Sequence, residues 1–245
     1  MTANSDPTLD RHNREQKEYF KVGEKKRTML PEDTPYNRKQ AGELVRFGGL
    51  TPGQRILEVG CGMGRHAFAL AQLGLRVEGL DLSPELLERF RFFNAGRYDI
   101  PLYCGDILEF AAELGGRFDA VVGFFVLHHL QDLPAYFSAM AGMLKPDGRL
   151  VFVEPNPLNL LYYPQILFTP GMAWRAEKGI LDMRRDVIFP AMRQAGLDNL
   201  RAARFGFFPR FVANLAWGMR LETSLEKVSI WNSLLPFQLF LGERS

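Results

Sequence analysis

The sequence predicts an α/β fold built on a mostly parallel sheet, and three observations carry that expectation. The apolar run Ile56, Leu57, Val59 is followed by glycines at 60, 62 and 64 and then by a helical stretch from Ala67, the order strand, tight turn, helix. Apolar runs then alternate with helical patterns as far as Glu154, which is the signature of parallel strands joined by right-handed crossovers. Acidic residues close strand-like runs at Asp81 and just after one at Asp106, where a parallel sheet opens its ligand crevice.

Taken in order, residues 1–50 are charged, with Arg14, Lys17, Lys21 and Lys25 at helical spacing. Pro31 and Pro35 are expected to break that run, leaving Gln40–Phe47 as a short helix stopped by Gly48-Gly49. Tyr36 and Arg38 stand where an N-terminal segment would fold over a bound cofactor. In the glycine turn, a ligand lying against the main chain leaves no room for a Cβ, and a tight turn asks for positive φ. Arg65 and His66, at the start of the next helix, are expected to be structural or solvent-facing. The second strand is Arg76–Leu80, ending in Asp81. Ser83 caps the following helix and Pro84 occupies its first position.

The third strand is Pro101–Cys104 and the fourth Phe118–Val122. A helix over Leu133–Leu144 closes at Lys145–Gly148, and the fifth strand runs from Arg149 to Val153. Beyond Glu154-Pro-Asn-Pro157 the pattern is less regular. Leu158–Trp174 is apolar and aromatic but interrupted by Pro164 and Pro170. A helix is expected over Met183–Ala195, with final strands at Leu200–Phe207 and Pro236–Leu241 and an aromatic stretch between them. Long insertions of this kind are usually lids or binding surfaces.

Composition narrows the class. The chain has 245 residues, 47% hydrophobic and 24% charged, enough for one domain with a sizeable core. Two cysteines, Cys61 and Cys104, imply no disulfide framework. The N-terminus is polar and no apolar run approaches the ~20 residues of a spanning helix, so a cytoplasmic location is expected. Net charge is +2, unevenly spread. Residues 51–156 carry nine Lys/Arg against thirteen Asp/Glu, and residues 157–245 carry eleven against seven. An acidic middle suits a cationic ligand, and a basic C-terminal part an anionic partner or a membrane surface; chance asymmetry on a solvated surface stands equally. The Lys and Arg form no long cluster and no RNA-binding module, so nucleic acid is not expected.

The carboxylates select among ligands. Asp81 can accept both hydroxyls of a ribose. Asp106 can accept an adenine amino group, with the Ile107 N–H donating to the ring. No Lys-Ser/Thr pair follows the glycines, which argues against a triphosphate. The motifs ILEVGCGMG, GLDLSPELL, CGDI, FDAVVGFFVLHHL and LKPDGRLVFVEP, in that order over about a hundred residues, resemble class I S-adenosylmethionine-dependent methyltransferases, particularly the ubiquinone/menaquinone-type and small-molecule group.

That resemblance implies a doubly wound, Rossmann-like sheet of seven strands, mostly parallel, whose reversed last strand is Pro236–Leu241. The chain is read as a single domain with an N-terminal helical cap (1–50), a cofactor core (51–155), a lid insertion (156–182) and a C-terminal part (183–245); the flanking regions 1–50 and 155–235 inherit nothing specific from the resemblance. The resemblance implies S-adenosylmethionine as cofactor, with Gly60, Cys61 and Gly62 along the methionine, Asp81 and Leu82 at the ribose, Asp106 and Ile107 at the adenine, and main-chain contacts from Gly123 and Phe124. Glu58, two residues before the turn, adds negative field for a sulfonium, or else pairs with an arginine.

Methyl transfer rests mainly on proximity and alignment, and a base is needed only if the acceptor must lose a proton. Candidates are His128, His129 and Glu154, each of which has an alternative role in packing. Cys61 reads as a packing residue, and no metal is expected. Tyr162, Tyr163 and Trp174 are candidates for an apolar or lipid-linked acceptor pocket, with Arg175, Arg184, Arg185, Arg201, Arg204 and Arg210 available to an anionic group. The aromatics equally serve as the lid's own core. Other readings are methylation of a protein or nucleic acid, a cofactor-binding subunit without catalysis, and a nicotinamide dehydrogenase, which Asp106 and the reversed strand disfavour. Oligomeric state stays open.

Overall fold

The computed structural model describes residues 30–160, 162–164, 177–226 and 229–245, with Arg11, Glu15 and Gln16. Residues 161 and 165–176 of the lid insertion, Trp174 and Arg175 among them, lie outside the described residues. The strands are β1 (Arg55–Val59), β2 (Arg76–Asp81), β3 (Leu102–Cys104), β4 (Phe118–Phe124), β5 (Leu144–Pro155), β6 (Leu197–Phe205) and β7 (Phe237–Arg244). They form one sheet in the order β3-β2-β1-β4-β5-β7-β6. β1 to β5 pair in parallel, and β7 runs antiparallel to both its neighbours. The expected reversed last strand is therefore present, and the order reverses between β1 and β4, which is where such sheets bind ligands.

Helices cover both faces, so the central strands are apolar on both sides. On one face Leu57, Val121 and Phe152 pack with Phe137 and Met140 of α5 (Leu133–Met143) and Ile188 and Met192 of α6 (Arg185–Gln194). On the other face Ile56, Val122 and Val151 pack with Leu44 of α1 (Pro35–Gly48), Leu70 of α2 (Ala67–Gln72) and Phe90 of α3 (Pro84–Asn94).

Two boundaries differ from expectation. Pro35 does not stop a helix but starts one. Thr34 is the cap, its Oγ1 accepting the Asn37 N–H at 3.3 Å, and proline at the first position loses no hydrogen bond because that N–H has no helical partner anyway. Lys145–Gly148 is not a turn ahead of β5 but a bulge within it. Leu144 already pairs with Phe118, the register then shifts before Arg149 meets Ala120, and Asp147 takes φ 60°. Bulges add residues to one strand while its neighbour continues.

The register puts Val59, Asp81, Cys104, Phe124 and Pro155 at one end of the sheet, with the start of β7 and the end of β6 beside them. The segment between β6 and β7, containing α7 (Arg210–Ala213) and α8 (Gly218–Leu225), therefore leaves and re-enters at the crevice end. α1 ties it down. Lys39 Nζ reaches Glu222 Oε1 and Glu226 Oε1, each at 2.6 Å, with Lys39 12% and Glu222 2% exposed. The Tyr36 N–H donates to Asn214 Oδ1 at 3.0 Å, and Arg210 pairs with Glu32. Glu226 Oε1 also accepts the Gly206 N–H and Glu222 Oε2 the Phe208 N–H. Arg38 instead pairs with Asp33 in solvent, away from the role expected for it.

Removing the cation leaves two carboxylates desolvated and unpaired. Lys39→Ala is expected to destabilise this cap by about 3 kcal/mol. Hydrogen exchange should then show lost protection over residues 206–226 while β1 and β4 keep theirs; unchanged protection there would refute the lock.

Candidate active site

Four N–H groups of the glycine turn are engaged within the protein. Those of Gly60 and Cys61 donate to Leu80 O at 2.8 and 3.2 Å, and that of Gly64 to Cys61 O at 3.0 Å. The Gly62 N–H donates to Asp81 Oδ2 at 2.8 Å. These bonds hold the turn to the end of β2 and to Asp81. Gly60, Gly62 and Gly64 all have positive φ (69°, 52° and 90°), and a Cβ on Gly60 would lie 2.7 Å from Val126 Cγ2.

Asp81 Oδ1 accepts the Ser83 N–H at 2.9 Å. Burial pushes the Asp81 carboxyl up, and its two backbone donors oppose that. Each oxygen keeps a second lone pair. Glu58 differs. It is 1% exposed, its Oε2 has no hydrogen-bond partner, and burial, then the neighbouring Asp81 charge, push its carboxyl well above the usual range. Among the described residues no arginine pairs with it. A buried acceptor without a partner is costly, and a cation placed in the crevice would relieve it.

Asp106 caps the short helix α4 (Ile107–Phe110) in a capping box with Glu109. Its Oδ1 accepts the Leu108 N–H at 2.8 Å and its Oδ2 the Tyr136 hydroxyl at 2.8 Å. Capping and ligand contact are not exclusive in principle, since a carboxylate offers about four acceptor positions. Tyr136 had no signal in the sequence beyond its place on an amphipathic helix. Cys61 is 4% exposed, with Sγ turned toward Gly79. Burial pushes its thiol well up, so it packs and does not react. Gly123 is glycine because a Cβ would meet Phe152 and Val126 at under 3 Å. Phe124 stacks on His66, rings 3.9 Å apart.

His66 is buried and not solvent-facing. Its Nε2 lies 2.9 Å from Gln40 Oε1, and burial, with Arg65 nearby, pushes it well below its ordinary range. Arg65 donates to Asn37 Oδ1 at 2.9 Å. Both tie the turn to α1.

The candidate bases are spoken for. Glu154 is 0% exposed. Its Oε1 accepts the N–H groups of Val126 and Leu127 at 2.9 and 2.7 Å, and its Oε2 is 2.6 Å from His128 Nδ1. Glu177, which the sequence gave no reason to single out, brings Oε2 to 3.4 Å from His128 Nε2. Burial pushes His128 down, but the two carboxylates outweigh it and lift it to about 9. Lifted in this way His128 is a poorer proton acceptor near neutral pH, and its bond to Glu154 suits the two to positioning the Val126–His129 turn. His129 is half-buried with its ring 4.1 Å from that of His128.

Tyr163 donates its hydroxyl to Pro157 O at 2.7 Å, and Tyr162 is half-buried beside it. Four of the five described candidate arginines already have partners. Arg184 pairs with Asp186 in solvent, Arg185 donates to Ala202 O, Arg201 lies over Phe47, and Arg210 pairs with Glu32.

Residues 57–152 match the model of the methyltransferase domain. This core is a class I S-adenosylmethionine-dependent methyltransferase domain. The ubiquinone biosynthesis O-methyltransferase of Xanthomonas axonopodis pv. citri is 33% identical over 149 residues, covering 60% of this chain and 62% of that one. The chain therefore matches about three fifths of that relative's length. Among solved structures, a Haemonchus contortus phosphoethanolamine N-methyltransferase 2 in complex with S-adenosyl-L-methionine aligns at TM-score 0.59 and 24% identity, over 84% of this chain and 52% of that one. An Archaeoglobus fulgidus SAM-dependent methyltransferase aligns at 0.60 and 16%, over 85% and 94%. The two likenesses show the fold.

Glu58→Gln tests the unpaired carboxylate. A carboxyl pushed up by folding favours the fold most at low pH and loses that contribution as pH rises toward its folded-state value. The melting temperature of Glu58→Gln should match the parent near pH 4 and exceed it increasingly up to pH 8. A parent that stays level with the variant across that range would show that Glu58 is compensated.

Proposed function

We propose that the chain transfers the methyl group of S-adenosylmethionine to a small acceptor, with a hydroxyl on an apolar or lipid-linked molecule as the best-supported target. The observation that carries the reading is the pair Glu58 and Asp81 beside the glycine turn. Both are buried, both are pushed up by desolvation, and no cation contributes to either environment. Such a site fits a ligand with positive charge and ribose hydroxyls, and the methyltransferase match over the same residues supports it.

In this reading Gly60, Cys61 and Gly62 lie along the methionine through their main chain, and Glu58 faces the charged end. Asp81 and Leu82 hold the ribose, Asp106 and Ile107 the adenine. Gly123 and Phe124 contribute backbone only, because their side-chain space is filled. When bound, the cofactor supplies an activated methyl group with a good leaving group. The chain's own residues then orient the acceptor and exclude water. Glu154 contributes by fixing the Val126–His129 turn beside the crevice.

The lipid-linked acceptor draws support from the ubiquinone-type relative and from apolar side chains left in solvent on the segments at the crevice end. Leu160 and Phe211 are each 74% exposed and Trp217 is 56% exposed. Such a rim suits an acceptor with an apolar tail, and association with a membrane surface that holds it. No described helix is long and apolar enough to cross a membrane. Tyr162, Tyr163 and Trp174 remain the proposed acceptor side of the lid.

Asp81→Ala is expected to weaken S-adenosylhomocysteine binding by ~1–3 kcal/mol in a folded protein, read by calorimetry, and to lower transfer of labelled methyl groups to a polyprenylated catechol. Unchanged affinity would remove the ribose assignment. Retained affinity in the parent with transfer only to a polypeptide would overturn the acceptor class and leave the cofactor site standing.

A further inference from the structure

Among the described residues, His128, His129 and Glu177 bring three ligand atoms within 4.8 Å of one another, and none of them is needed by the cofactor reading. We propose that these three side chains form a binding site for a divalent transition-metal ion, zinc being the best match. The donor set is two imidazoles and a carboxylate, which suits zinc and its neighbours better than magnesium or calcium.

The surroundings are those of a built site. Glu154, 0% exposed, takes the Nδ1 side of His128 at 2.6 Å, and its other oxygen is fixed by the Val126 and Leu127 N–H groups. A buried carboxylate on one ring nitrogen fixes the ring and aims the other nitrogen outward, where its lone pair can meet a metal once its proton is displaced, as in carboxylate–histidine–metal arrangements. That other nitrogen, Nε2, stands 3.4 Å from Glu177 Oε2. The separation is long for a charge-assisted hydrogen bond. A tetrahedral zinc with bonds of about 2.0–2.1 Å holds its donors roughly 3.3–3.4 Å apart, so the spacing matches two ligands of one ion.

Chain geometry supports the convergence. His128 and His129 sit in the short 3-10 turn Leu127–His129, and Glu177 immediately precedes a second, Lys178–Asp182. The two turns meet at Gly179, where a Cβ would lie 2.0 Å from His128 O. Only glycine permits that approach, and it brings Glu177 onto the imidazole. Three protein donors leave a fourth position for water or an acceptor oxygen, the pattern of sites where the metal does chemistry. On binding, the ion takes the place of the Nε2 proton of His128, which leaves to solvent.

The test uses the full chain, stripped with chelator and titrated with Zn²⁺ alone by calorimetry, then with Co²⁺ followed by visible absorption. One equivalent per chain is expected, with the intense visible bands of four-coordinate cobalt. Glu177→Gln and His129→Gln keep volume and hydrogen-bonding capacity, and each should weaken Zn²⁺ binding at least about tenfold and remove the cobalt bands. Near-ultraviolet dichroism and S-adenosylhomocysteine binding report that each variant is folded. Substoichiometric binding in the parent, or affinity and bands unchanged in either folded variant, overturns the site. Cofactor binding does not depend on the metal, so failure here leaves the methyltransferase reading untouched.

Discussion

Desolvated carboxylates at one end of the sheet are the constraint around which this molecule is arranged. Glu58 lies near the end of β1, Asp81 closes β2, Asp106 follows β3 and Glu154 lies near the end of β5. All four are buried, and burying a charge costs far more than any single contact returns unless donors meet it. Three of them are met by backbone N–H groups: Gly62 and Ser83 for Asp81, Leu108 for Asp106, Val126 and Leu127 for Glu154. Each such bond also fixes a loop. The carboxylates therefore shape the crevice as well as charge it. Glu58 is the exception, and that asymmetry points to the ligand.

The division between faces follows from the same economy. Because β1 to β5 are parallel, their connections must cross over on one side or the other, and each side then needs an apolar layer. Acidic side chains and glycines stand at or just beside the crevice ends of the strands, where main-chain groups run out of strand partners. The cap uses the same device in reverse: Glu222 and Glu226 receive N–H groups of Phe208 and Gly206 and are neutralised by Lys39.

Much of this was legible from residue order. Val59, Asp81 and Phe124 could be placed at the crevice because short apolar runs bounded by glycine and proline fix strands well. Pro35 and the Lys145–Gly148 bulge were not legible, because proline reads alike as breaker or first residue and a Lys-Pro-Asp-Gly run looks like a free turn. The environment of His128 was also hidden. It is set by Glu154, 26 residues on, and by Glu177, 49 residues on, and the second depends on a glycine contact that no local pattern announces. The arginines misled for the opposite reason. Nearness in sequence suggested one anion site, whereas four of the five described candidates already have partners.

Catalytic power in this arrangement must come from placement. Glu154 already meets three donors, from Val126, Leu127 and His128, and His128 stands between two carboxylates. An acceptor hydroxyl that ionises readily needs only to be held in line with the methyl group, a contribution that reaches ~7–11 kcal/mol in favourable systems. In the proposed reading, what would hold it among the described residues is the segment between β6 and β7 together with α1. That segment is fastened through Lys39, Asn214 and Arg210 to residues of the N-terminal part, while the cofactor residues are fastened to the sheet. The two halves of the reaction therefore rest on separate supports, and acceptor choice can change with the cap while the carboxylate-lined crevice beneath it stays as it is.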